Sequence, residues 1–153
     1  MGRAVGIDLG TTNSCIAVVE DGTPRLITWP DGSKTIPSVF AIDKSGQSLV
    51  GEEARAQAAL NPENTIAASK RLIGRSFDSK AVEQMSQVFT YELIEGESSE
   101  VLVKVANQVL TLEQVSAAIL ARLKEHAERT LGDEVTAAVR SEEHTSELQS
   151  PCN

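Results

Sequence analysis

Asp8 is separated by a single residue from the run Gly10-Thr11-Thr12-Asn13. A tight turn of Gly, Thr and Asn presents backbone N–H groups together with short hydroxyl and amide side chains. That is equipment for holding phosphate oxygens. A carboxylate beside such a turn suits Mg²⁺ held through its waters, because this ion gives up its hydration reluctantly. No Gly-Lys-Ser/Thr follows and the next residues read as a strand, so the loop is not of the Walker A kind. The same residues could equally do no more than shape a hairpin. A second group, Lys70-Arg71, is a pair of cations near the expected end of a helix, where each would favour the helix dipole. Cys15 follows the turn as either a reactive thiol or a small buried strand residue, the latter fitting its position better. His126 falls on the polar side of a long helical pattern and reads as a solvated residue.

The elements that must position these residues follow from periodicity. Residues 3–10 alternate, with Val5, Ile7 and Leu9 on one face and Ala4, Gly6 and Asp8 on the other. Strand character resumes over 15–19, and Asp21-Gly22 is a hairpin signal before 25–29, giving an antiparallel meander. Residues 36–42 read as a fourth extended segment. Ala- and Glu-rich 51–60 favours helix. Asn61-Pro62 looks like a helix start, with Glu63 in the first turn, and that helix is expected to run to Ile73 with Gly74 as its left-handed stop. A short helix over 80–85 and strands over 88–94 and 101–105 follow, with an acidic link at 95–100. The strongest helix is 112–131. Thr111 and Gln114 form a capping box, and Leu112, Val115, Ile119, Leu123, Ala127 and Leu131 recur every three or four residues. Gly132 ends it, and 135–139 begins another strand.

The 153 residues carry 14 basic and 22 acidic side chains, a net charge of −8, which argues against a general nucleic-acid surface. Aromatic content of 3% leaves no stacking platform for single strands. Apolar runs are far too short to span a bilayer, and the amino terminus enters a strand without the pattern of a signal peptide, so a cytoplasmic location is expected. Two cysteines at opposite ends suggest neither a disulfide framework nor a zinc site. From Arg140 onward the chain turns polar and loses periodicity. Residues 140–150 resemble the conceptual translation of a sequencing-library adapter, so 140–153 is set aside as a non-native tail.

Gly6-Ile7-Asp8-Leu9-Gly10-Thr11-Thr12-Asn13-Ser14-Cys15 resembles the first phosphate loop of the DnaK-type, seventy-kilodalton heat-shock chaperones. Asn61-Pro62-Glu63-Asn64-Thr65 followed by Lys70-Arg71-Leu72-Ile73-Gly74-Arg75 resembles that family's second signature at the same spacing, and Ile36-Pro37-Ser38 and Val50-Gly51 also fit. The first motif alone is shared with actin-like proteins and sugar kinases; the second speaks against them. The likeness covers residues 1 to about 139. It implies an α/β actin-like ATPase of RNase H type, incomplete, with part of the first lobe only. Residues 1–37 and 111–139 would form part of a large subdomain and 38–110 a small one. It further implies ATP or ADP with Mg²⁺ as cofactors. Asp8 would stand near the metal through water, Gly10, Thr11, Thr12 and Asn13 around the phosphates, and Arg71 along the nucleotide cleft. Lys70 would be catalytic, stabilising charge as a phosphoryl group passes to water. The expected partners are unfolded polypeptide, bound through a domain absent from this chain, a J-domain co-chaperone and a nucleotide-exchange factor, with no nucleic acid and no membrane. The chain itself, lacking the second phosphate loop and the adenosine site, is expected to be inactive. A specialised iron–sulfur-assembly relative within the family, or another member of the actin and sugar-kinase superfamily, is the alternative.

Overall fold

A computed structural model describes residues 2–140. The chain forms two compact units, one of residues up to Ser38 with those from Leu120 onward, the other Val39–Ile119.

The first unit is built on a mixed sheet. Strands β1 (Arg3–Leu9) and β2 (Asn13–Glu20) pair antiparallel with Asp8 opposite Cys15, and β2 continues into β3 (Thr23–Leu26). The β2–β3 turn is Asp21-Gly22, both at positive φ, as its hairpin signal predicts. The short strand β4 (Ile36–Pro37) joins the start of β2, with Asn13 opposite Pro37 and Ser14 opposite Ile36. On the other side of β1 lies the later strand Val135–Arg140, parallel to it. Arg140, set aside with the tail on sequence grounds, ends that strand opposite Ile7. The remainder of the tail, 141–153, lies outside the described residues.

Residues 36–42 are extended as expected, yet not one strand. Ser38 separates β4 from β5 (Val39–Ile42), and β5 belongs to the second unit, between β6 (Ser48–Val50) and β7 (Thr65–Ala67). Helix α1 (Glu52–Ala56) is shorter than the 51–60 expected, because the Gln57 side chain bonds back to the Ala54 carbonyl and the next residues tighten into a 3₁₀ turn, Ala58–Leu60.

The helix expected over 61–73 does not form. A single 3₁₀ turn (Pro62–Asn64) passes into β7, and a second 3₁₀ turn spans Ser69–Arg71. The cause is tertiary. Asn61 does not cap; its amide donates to the Ile42 carbonyl and to Gln57 Oε1. Thr65 and Ile66 are β-branched and buried, and they pair with Ala41 and Phe40 of β5, where a pleated surface suits them better than a helix. Gly74 retains the expected positive φ of 80°.

Helix α2 (Lys80–Ser86) begins at Ser79, whose side chain accepts from Val82 N. The strand expected from 88 starts only at β8 (Glu92–Glu95), because the amides of Val88 and Phe89 turn back to the Met85 carbonyl. Strand β9 (Val101–Val105) lies between β8 and β10 (Gln108–Thr111), a strand that sequence periodicity does not reveal. Phe40, Ile66, Leu72, Val82, Tyr91, Val103, Val105 and Val115 share one apolar core in this unit.

Helix α3 (Leu112–Leu131) has the bounds expected of it. Its capping box closes both ways: Thr111 Oγ1 accepts from Gln114 N, and Gln114 Oε1 from Thr111 N. Gly132 follows at φ 71°. In the first unit Leu123 and Ala127 of α3 are fully buried. His126 is buried too, contrary to the solvated position expected. Its ring stacks on Trp29 at 3.8 Å, and because a carbonyl only accepts, its Nε2–H donates to the Thr28 oxygen at 2.9 Å. The flanking strand is then numbered β11 (Val135–Arg140), and the sheet order is β11-β1-β2-β3.

Candidate functional site

In the first unit the residues from Asp8 to Asn13 come together at one end of the β1–β2 hairpin. Asp8 is 7% exposed on the penultimate position of β1. Gly10 N donates to the Asn13 carbonyl at 3.1 Å, closing the loop. A side chain at position 10 cannot be accommodated in this geometry, since a Cβ there would lie 2.3 Å from the Asn13 carbonyl oxygen. Gly10 is required by close approach rather than by a left-handed φ. Thr12 is exposed, and Thr11 and Asn13 are half-buried.

Two serines hold the loop in this shape. Ser38 Oγ donates to the Gly10 carbonyl at 2.8 Å and lies 2.7 Å from Ser14 Oγ. Ser38 has one hydroxyl proton, and it is given to the carbonyl. Ser14 must therefore donate to Ser38. Ser38 N completes the clamp by donating to the Thr12 carbonyl at 2.8 Å. Ser38 stands in the motif Ile36-Pro37-Ser38 with no role evident from the residues themselves. A serine directly after a proline in an extended run carries no local signal of a contact 28 residues away. Cys15, next to Ser14, is a buried residue of β2, as its place in the strand suggests.

The loop fits phosphate. It has a glycine cradle closed to side chains and exposed or half-buried hydroxyl and amide groups at its rim. Among the described residues no three of His, Cys, Asp or Glu converge into a metal cluster.

Lys70 and Arg71 lie in the second unit, on the 3₁₀ turn Ser69–Arg71. They do not end a regular helix, so a generic role on a helix dipole has no basis here. Lys70 is half-buried and Arg71 exposed. The turn is entered through Ala68 at φ 57°, ψ 26°, a left-handed conformation that costs a non-glycine residue about 1–2 kcal/mol. On its far side Leu72 is fully buried, and Leu72 N donates to the Ser69 carbonyl at 2.9 Å.

A model of the Hsp70 protein family matches residues 4–141, which carries with it the actin-like ATPase fold, and the antiparallel meander with a parallel strand added at its edge agrees with that fold. The chain belongs to the Hsp70 family, whose members are ATP-dependent chaperones that bind ATP or ADP with Mg²⁺.

Proposed function

We propose that this chain is part of an Hsp70 chaperone, in which ATP hydrolysis controls the binding and release of unfolded polypeptide. The observation that carries this reading is the loop Gly10–Asn13, cradle-shaped at Gly10 and locked by Ser14 and Ser38, in a chain of this family. ATP supplies the phosphoryl group, and water receives it. Asp8 would hold a hydrated Mg²⁺, which would supply positive charge at the phosphates. Gly10, Thr11, Thr12 and Asn13 bind and orient phosphate oxygens. Lys70 places positive charge against the negative charge that develops on transfer, and Arg71 lines the nucleotide site. Groups fixed in advance in this way are worth more than mobile ones, because no reorganisation is needed when the charge appears.

The partners follow from the family: client polypeptide, a J-domain co-chaperone and an exchange factor act on the whole protein in the cytoplasm. By the family resemblance the second phosphate loop and the adenosine site belong to the complete protein, so in this reading the chain by itself turns over no ATP.

The test is Lys70→Ala in a complete protein carrying these residues. Steady-state hydrolysis should fall by about 10²–10³, the usual cost of losing one such stabilising group. Nucleotide affinity measured by calorimetry should stay within a few-fold of wild type. Undiminished turnover in Lys70→Ala would remove Lys70 from catalysis.

A further inference from the structure

Lys70 is presented by an unusual stretch of backbone. Two residues before it, Ala68 sits in the left-handed region, which alanine rarely occupies and which persists only where the surroundings dictate it. Downstream, the turn is anchored by buried Leu72 and by the amides of Arg71 and Leu72, which donate to the Ala68 and Ser69 carbonyls. Upstream, the anchor comes from far along the sequence: Tyr91 Oη donates to the Ala67 carbonyl at 2.7 Å. Tyr91 is 4% exposed, its ring stacked on Phe89 at 4.9 Å within the core of this unit, and the Arg71 guanidinium lies within electrostatic reach of its hydroxyl. The core thus fixes the ring, the ring fixes the hydroxyl, and the hydroxyl fixes the peptide that immediately precedes the left-handed residue.

We propose that Tyr91 is a positioning residue for Lys70: its hydroxyl, through the Ala67 carbonyl, holds the left-handed turn at Ala68 and so sets where the Lys70 side chain starts. The inference rests on the catalytic reading of Lys70 given above. Tyr91 touches no nucleotide in this account. It acts only through the backbone.

The experiment removes the hydroxyl and keeps the ring, with Tyr91→Phe. Hydrogen–deuterium exchange comes first, because it needs no nucleotide. In a complete protein carrying these residues, the Arg71 and Leu72 amides should exchange about fivefold faster, and Val103 in the neighbouring strand should not change. That factor corresponds to one hydrogen bond of ordinary net strength. Steady-state ATP turnover should fall about three- to tenfold in kcat, with KM within twofold, because a displaced charge-stabilising group weakens the transition state more than the ground state. The melting temperature should barely move. Ala68→Gly is the companion variant. Glycine relieves the cost of the left-handed conformation, so Ala68→Gly on its own should not speed exchange at Arg71 and Leu72, and in the Tyr91→Phe background it should recover part of the lost protection and kcat.

Unchanged exchange at Arg71 and Leu72 in Tyr91→Phe overturns the inference, as does an equal rise at every amide, which would mark a merely structural tyrosine. Lys70→Ala, measured in parallel, separates the two levels. If Lys70→Ala is inactive while Tyr91→Phe turns over normally, the positioning role alone fails. If Lys70→Ala turns over normally, the catalytic reading fails and takes the positioning role with it.

Discussion

Ser38→Ala deletes one oxygen from a small buried network, and the consequences can be worked bond by bond. The Gly10 carbonyl loses the hydroxyl that donates to it at 2.8 Å. Ser14 Oγ, on a residue with 0% exposure, loses the oxygen to which it donates at 2.7 Å. Each partner left unsatisfied in a buried site costs about 1–3 kcal/mol. Gly10 is only half-buried and recovers part of its share from water, so the sum should be about 2–4 kcal/mol. That is a sizeable fraction of the 5–15 kcal/mol that typically separates a domain from its unfolded state. Ser14→Ala should cost less, about 1 kcal/mol, because Ser38 keeps its bond to Gly10. The double variant should cost little more than Ser38→Ala alone, since Ser14 then has no stranded hydroxyl. Urea unfolding of the four chains at constant m gives all three differences and the coupling between the serines. Ser38→Ala within about 0.5 kcal/mol of wild type, or strictly additive single effects, would refute the claim that these hydroxyls form one network.

Gly10→Ala should be destabilising by about 1–3 kcal/mol, because a Cβ 2.3 Å from the Asn13 carbonyl forces the backbone of the loop apart. In a complete protein the same variant should weaken nucleotide binding at least tenfold by calorimetry, and unchanged affinity would remove the loop from the phosphate site. Tyr91 gives a pH signature: burial holds its hydroxyl well above the ordinary value of 10, with the Arg71 charge opposing this in part. The native state therefore keeps a proton that the unfolded chain releases, so this stabilising contribution is intact below pH 10 and declines above it. Melting curves between pH 8 and 11.5 should show an alkaline loss of stability that is smaller in Tyr91→Phe.

What could be read from the sequence was whatever local chemistry decides. Helix α3 was legible to the residue because its capping box, its apolar period and Gly132 all agree, and the Asp21-Gly22 hairpin because that dipeptide tolerates positive φ at both positions. The β9–β10 hairpin turns just as tightly, at Ala106 (φ 48°) and Asn107 (φ 69°), but alanine gives no such signal. Its turn is held instead from a distance, by Asn64 Oδ1 accepting from Ala106 N at 2.8 Å. The same holds for 61–73, where Asn-Pro reads as a helix start until the Ile42 carbonyl claims the Asn61 side chain and β5 claims Thr65 and Ile66. The candidate site divides along this line. The loop from Gly10 to Asn13 announces itself as turn chemistry. Lys70 is an ordinary cation in an ordinary-looking helix until the fold sets it on a 3₁₀ turn behind a strained alanine.

Ser38 shows why the two kinds of information meet where they do. It is the last residue of the first unit's opening segment, and the next residue, Val39, begins the strand that carries the chain into the second. Its backbone amide and its hydroxyl are both bonded to the loop, at Thr12 and Gly10, while its neighbours Ile36 and Pro37 pair with the strand that leaves it. The shape of the candidate phosphate loop and the exit of the chain from the unit are therefore determined by the same few bonds. A serine placed here, after a proline that can donate no amide of its own, allows neither to shift without breaking a buried hydrogen bond.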